Sequence, residues 1–124
     1  MKLMIVDDSL AVRRKIERCA LENKELTVLT AVNGRDAIAL FKSEQPDMVT
    51  MDLTMPELGG VECIKVLTDL NPRVHILVVS ALSDKITALE AIKQGAEGFL
   101  KKPFSDNELT IALNELLETE PYIA

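Results

Sequence analysis

The feature that most constrains this chain is a fivefold alternation. Short apolar runs, each followed by a longer amphipathic stretch, recur about every 20 to 25 residues along the 124-residue chain. The runs at 3–6, 26–31, 48–53, 74–79 and 98–101 predict strands. The stretches 9–23, 61–70, 84–94 and 106–117 predict helices, and Ala37, Ile38 and Phe41 form the face of another that ends near Glu44, before Pro46. In the first helix Val12, Ile16, Cys19 and Ala20 recur at steps of three and four, with Ser9 placed to cap it. Gly95 is placed to end the fourth helix, and Ser105 or Asp106 to start the last. Strands that alternate with helices form a parallel sheet covered on both faces. The expected fold is therefore α/β, a three-layer (βα)5 sandwich with right-handed crossovers. The spacing leaves no room for a second domain, so residues 1–124 are expected to form one.

Charge narrows the function. Fourteen basic and 20 acidic residues give a net charge of -6. Nucleic-acid binding draws its affinity from Lys and Arg that neutralise phosphates, so an acidic chain argues against it, and equally against anionic membranes. No apolar run approaches the length of roughly 18 residues that spans a bilayer. Cys19 and Cys63, 44 residues apart and both in helical stretches, read as reduced core residues of a reducing compartment. The cytoplasm is the expected location. Met1 and a short tail after 117 fit a complete protein, although the same residues fit one half of a longer one.

In an open parallel sheet, ligands bind at the carboxyl ends of the strands. Strand one exits into Asp7-Asp8-Ser9, strand three into Asp52, strand four into Ser80 and strand five into Lys101-Lys102-Pro103. An Asp or Ser at such a place is often only a helix cap. Three carboxylates are more than a cap needs, because like charges 4 Å apart repel by about 4 kcal/mol at an effective dielectric of 20. A hard cation among them, Mg²⁺ or Mn²⁺, would make sense of the cluster. A phosphoryl group would use the lysine and the hydroxyl as well. Asp forms acyl phosphates, and Asp52, alone at a central strand, is the expected nucleophile, with Asp7 and Asp8 the natural metal pair.

Val6-Asp7-Asp8-Ser9, Met51-Asp52-Leu53-Thr54-Met55-Pro56, Val79-Ser80-Ala81 and Lys102-Pro103-Phe104, in this order, resemble the receiver domain of bacterial two-component response regulators. The resemblance covers essentially the whole chain and is strongest to the small stand-alone chemotaxis regulators of the CheY type. It implies a flavodoxin-like sheet of order 2-1-3-4-5. It implies Asp52 as phosphoacceptor from a histidine kinase. Asp8 and Asp52 would bind Mg²⁺ directly, Asp7 through water, and the Thr54 carbonyl would complete the set. Lys102 would contact the phosphoryl group across a cis bond to Pro103. Ser80 and Phe99 would be the switch pair, where Thr and Tyr are commoner in the family. The switch would change the face made by helix four, strand five and helix five, which would bind an output protein; the chain would be a monomer or a phosphorylation-dependent dimer. Thr54 and Leu82 lie where the family tunes dephosphorylation.

Three further roles weigh less. A flavodoxin-like binder of FMN would need a phosphate-cradling loop where Asp7 and Asp8 stand. A phosphatase of the haloacid-dehalogenase type would need spaced acids after strand one and a cap domain. A pseudo-receiver would bind partners without phosphorylation, against which Asp8, Asp52 and Lys102 all count. Lys101 is expected to be solvated, Met48 and Met51 to lie in the core, and His75 to take no part in chemistry.

Overall fold

A computed structural model describes residues 1–55, 58–81 and 85–118. Five strands and five helices alternate: β1 (Lys2–Val6), α1 (Leu10–Ala20), β2 (Thr27–Ala31), α2 (Gly34–Glu44), β3 (Met48–Met51), α3 (Gly60–Leu70), β4 (His75–Ser80), α4 (Lys85–Lys93), β5 (Gly98–Lys101) and α5 (Asp106–Glu118). All strands are parallel, in the order β2-β1-β3-β4-β5. The α/β fold and strand order are those expected.

Each sheet face carries its own core. Met4, Val6, Val49, Met51, Ile76 and Val78 pack with α2, α3 and α4. Leu3, Ile5, Met48, Leu77, Val79 and Leu100 pack with α1 and α5. Alternation along each strand sends neighbours to opposite faces, and burial on both faces explains why β1, β3 and β4 read as near-continuous apolar runs. Cys19 and Cys63 are buried and free, and Met48 and Met51 lie in the two cores.

The helix ends are set by local hydrogen bonds. Ser9 Oγ accepts from Val12 N (3.3 Å) and Asn33 Oδ1 from Asp36 N (2.8 Å). At α5 the choice falls on Ser105, whose Oγ accepts from Glu108 N while Glu108 Oε1 accepts from Ser105 N, a reciprocal capping box. Two boundaries differ from the expectation, at α1 and β3, while α2 ends at Glu44 as expected. α1 stops at Ala20, not at 23, because Asn23 closes a turn in which its carbonyl accepts from Leu26 N and its side chain from Glu25 N. α2 is ended by Gln45 in the left-handed region (φ 50°), one residue before Pro46. β3 ends at Met51, so Asp52 and Leu53 belong to the loop. Pro56, Leu82, Asp84 and the tail 119–124 lie outside the described residues.

Candidate functional site

The register aligns the strand ends on one rim. Val6 pairs with Ala31 and Met51, Met51 with Val78, and Ser80 with Lys101. The ladder then runs one bond further. Asp7 N donates to the Ala31 carbonyl (3.2 Å), Asp52 N to Val6 (3.0 Å) and Lys102 N to Ser80 (2.9 Å). The backbones of Asp7, Asp52 and Lys102 are thus fastened to neighbouring strands.

Asp7 and Asp52 are 1% and 2% exposed, while Asp8 stands open to solvent. One carboxylate oxygen from each lies within 4.8 Å of the others. Lys102 Nζ sits 2.7 Å from Asp7 Oδ2 and 3.7 Å from Asp52 Oδ2. The two buried acids share a second device. Asp7 Oδ1 accepts from Ser9 N (2.8 Å) and Asp52 Oδ1 from Thr54 N (3.2 Å), twin Asx turns that bend the chain away from the sheet. The Thr54 hydroxyl adds a further bond to Asp52 Oδ1 (3.1 Å). Each acid therefore folds its own loop with Oδ1 and turns Oδ2 toward Lys102.

Burial raises the Asp52 carboxyl above the ordinary aspartate range, and the Asp7 charge adds to that rise; the Thr54 amide, Lys102 and the Thr54 hydroxyl oppose it without prevailing. Asp7 Oδ2 is buried, with no hydrogen-bond donor among the described residues aligned to it; the Lys102 ammonium touches it as a charge, not along a regular hydrogen bond. Three carboxylates and one ammonium leave the cluster at -2. That is the charge of one divalent cation, and the donors are all oxygens, which suits a hard ion such as Mg²⁺. These residues fit the metal implied for them.

Other residues singled out in the sequence fall as follows. Ser80 ends β4, fully buried on the same rim. Phe99 lies two rungs back from that rim, half-buried against the core over α2, α3 and α4. The Lys102–Pro103 peptide is cis. Lys101 is exposed. His75 sits at the opposite end of β4, with Nδ1 2.7 Å from Glu97 Oε1. Three contributors were missed in the sequence. The Thr54 hydroxyl reaches Asp52. Arg13 Nη1 donates to the Asp7 carbonyl (2.8 Å). Lys15 Nζ donates to the Phe104 carbonyl and lies 4.6 Å from that ring's centroid. The Asx spacing was a readable sign of the first. Nothing local signals the third, which joins residues 89 apart.

Fold and rim together define a class: a doubly wound α/β domain that gathers acids and one lysine where its strands end. Comparison with known proteins is more particular. The family described as response regulator receiver domain matches residues 3–114. The chemotaxis protein CheY of Thermotoga maritima is 36% identical over 115 residues, covering 93% of this chain and 96% of that protein. CheY of Bacillus subtilis is 34% identical over 116 residues, covering 94% and 97%. The crystal structure of Vibrio cholerae chemotaxis protein CheY4 superposes with a TM-score of 0.84 at 28% identity, covering 93% of this chain and 97% of that one. The chain belongs to the family of response-regulator receiver domains, of the CheY-like kind. Members of that family are signalling proteins and bind Mg²⁺ at an acidic pocket, for which the cluster of Asp7, Asp8 and Asp52 is the counterpart here. No helix among the described residues is long and apolar enough to cross a membrane.

Proposed function

We propose that the chain accepts a phosphoryl group on Asp52 from a phosphohistidine of a cytoplasmic histidine kinase, and changes its binding face in response. The observation that carries this reading is the asymmetry of Asp52: Oδ1 is held by two Thr54 donors, while Oδ2 has Lys102 Nζ at 3.7 Å as its one ion pair among the described residues. Oδ2 attacks phosphorus, the O–P bond forms, the N–P bond breaks, and the imidazole leaves with its electron pair. Lys102 neutralises charge on the transferring group as a point charge. The Ser80 hydroxyl donates to a phosphoryl oxygen. Mg²⁺ (Mn²⁺ as substitute) would be held by Asp8, Asp52 and the Thr54 carbonyl, with Asp7 acting through water, and would supply neutralisation of phosphoryl-oxygen charge. Fixed positions carry most of the catalysis, since the backbones of Asp52 and Lys102 are already tied to the sheet.

A phosphoaspartate adds about two negative charges. Ser80 is drawn toward them and Phe99 moves into the space left, which biases a two-state equilibrium. The face that changes comprises α4, β5 and α5. α4 supports this reading: Ile86, Leu89 and Ile92 are 79%, 60% and 51% exposed, an apolar stripe suited to a protein partner rather than to water. The output partner, by the likeness to CheY proteins, belongs to a chemotaxis pathway. Residues 1–124 act as a single receiver domain, a monomer that dimerises at most when phosphorylated.

Intact mass after incubation with acetyl phosphate and Mg²⁺ tests the reading. The expected result is a gain of one phosphoryl group, absent in Asp52→Asn and without Mg²⁺. Failure to gain mass, together with failure to bind beryllofluoride, refutes it.

A further inference from the structure

We propose that Lys15 is a positioning residue for Lys102, and that α1 acts as a brace across the two loops that carry the Asp7–Lys102 pair. The inference rests on the acceptor reading above. Lys15 Nζ donates to the Phe104 carbonyl and lies over the Phe104 ring, 4.6 Å from its centroid. Both contacts grip one residue, two positions beyond Lys102. Two residues earlier on the same helix, Arg13 Nη1 donates to the Asp7 carbonyl at 2.8 Å. Residues two apart project about 200° from each other around a helix, so Arg13 and Lys15 reach to different loops. The circuit closes where the loops meet, at the 2.7 Å contact between Lys102 Nζ and Asp7 Oδ2.

The circuit explains why a lysine stem can serve as a fixed charge. A lysine has four flexible methylenes and gives up rotamer freedom when it is held in one place. Lys102 N is tied to Ser80, which fixes the strand side of the residue. The loop side is fixed only if the residues after Pro103 are held, and Phe104 is where α1 holds them. Phe104 is also buried in its own right, so loss of Lys15 leaves the loop folded and frees its aim. The bland alternative is that Lys15 merely covers an aromatic ring. The two differ in whether Lys15 matters once Lys102 is gone.

The experiment uses the full chain as wild type, Lys15→Met, Lys102→Met, the double variant and Lys15→Arg. Two quantities are read: the rate of phosphoryl acceptance from acetyl phosphate at saturating Mg²⁺, and the urea midpoint in EDTA. Lys15→Met keeps the apolar stem and loses the donor. It is expected to slow acceptance about tenfold, at the low end of what supporting partners of a site cost. Lys15→Arg, which still donates and stacks, is expected to restore the rate to within about threefold. In the Lys102→Met background, adding Lys15→Met is expected to change the residual rate less than about twofold, and the two urea shifts to be non-additive. An unchanged rate in Lys15→Met overturns the proposal, as does a tenfold loss that persists without Lys102. If the wild type neither accepts phosphoryl nor binds beryllofluoride, the acceptor reading falls instead, and additive urea shifts in EDTA then overturn the brace. If Lys15→Met does not fold, Lys15→Gln takes its place in the same cycle.

Discussion

Replacing Asp52 by Asn is expected to stabilise the metal-free protein. The magnitude follows from three terms. Lys102 Nζ at 3.7 Å attracts the Asp52 charge by about 4.5 kcal/mol at an effective dielectric of 20. Asp7, with an oxygen no more than 4.8 Å away, repels it by about 3.5 kcal/mol or more on the same basis. These nearly cancel, so desolvation decides, in agreement with the raised Asp52 carboxyl, for which burial is the leading cause. Burying a polar group that lacks full compensation costs about 1–3 kcal/mol. Asn keeps an Oδ1 for both Thr54 donors, so the loop is retained and the desolvation cost of the charge is removed. The expected gain is about 1–3 kcal/mol. With a urea m-value of about 1–3 kcal/mol/M, a 2 kcal/mol gain moves the midpoint by about 1 M.

The pH dependence has a definite sign. An acid whose folded pKa is raised binds its proton more tightly in the folded state, so its stability contribution is present below the ordinary aspartate value of 3.8 and is lost as pH rises through the folded value. The advantage of the Asn variant therefore opens across that window and is flat above it. Mg²⁺ acts the other way, adding about 2.7 kcal/mol to the wild type at a hundred times its Kd, enough to close or reverse the gap. Urea melts in EDTA at several pH values, repeated with Mg²⁺, make the check. An Asn variant no more stable than wild type in EDTA at pH 7, or an advantage that persists unchanged at pH 3, would refute the reasoning.

Other perturbations separate the roles of neighbouring groups. Lys102→Met strips the buried acids of their counter-charge and is expected to cost about 3–5 kcal/mol in EDTA, measured by urea melts, with Mg²⁺ recovering more stability than in wild type. Gly60→Ala would set a Cβ 2.4 Å from the Asp52 carbonyl and 2.6 Å from Leu53 Cα, so an overpacking cost of about 1–3 kcal/mol and weaker Mg²⁺ binding by calorimetry are expected. Thr50→Val removes a buried hydroxyl on β3 that has no partner among the described residues, two positions before Asp52; a thermal melt is expected to show a gain of about 1 kcal/mol.

The sheet and the acids were legible in the sequence because strand and site obey one rule: an apolar run ends, and the next polar residue lands on the rim. Val6 then Asp7, and Met51 then Asp52, both show it. The choice of Lys102 over Lys101 was legible only through the family resemblance; in the fold Lys101 ends β5 in solvent while Lys102 turns to the acids. The end of α1 was not legible, because residues 21–24 have no helix breaker and the turn depends on hydrogen bonds of Asn23 to both backbone and side-chain atoms. Lys15 was illegible for a different reason. It sits in a helix among other cations, and its partner is chosen by tertiary packing of α1 against the loop before α5.

The twin Asx turns bear on how often such a site can be used. A carboxylate whose two oxygens both held the fold would have to undo a piece of structure at every reaction. Asp52 fastens its loop through Oδ1 and leaves Oδ2 facing Lys102. Under the acceptor reading, writing and erasing the phosphoryl mark leaves those fastenings intact. The same molecule can pass through the cycle repeatedly as a reusable register, with no refolding step between one message and the next.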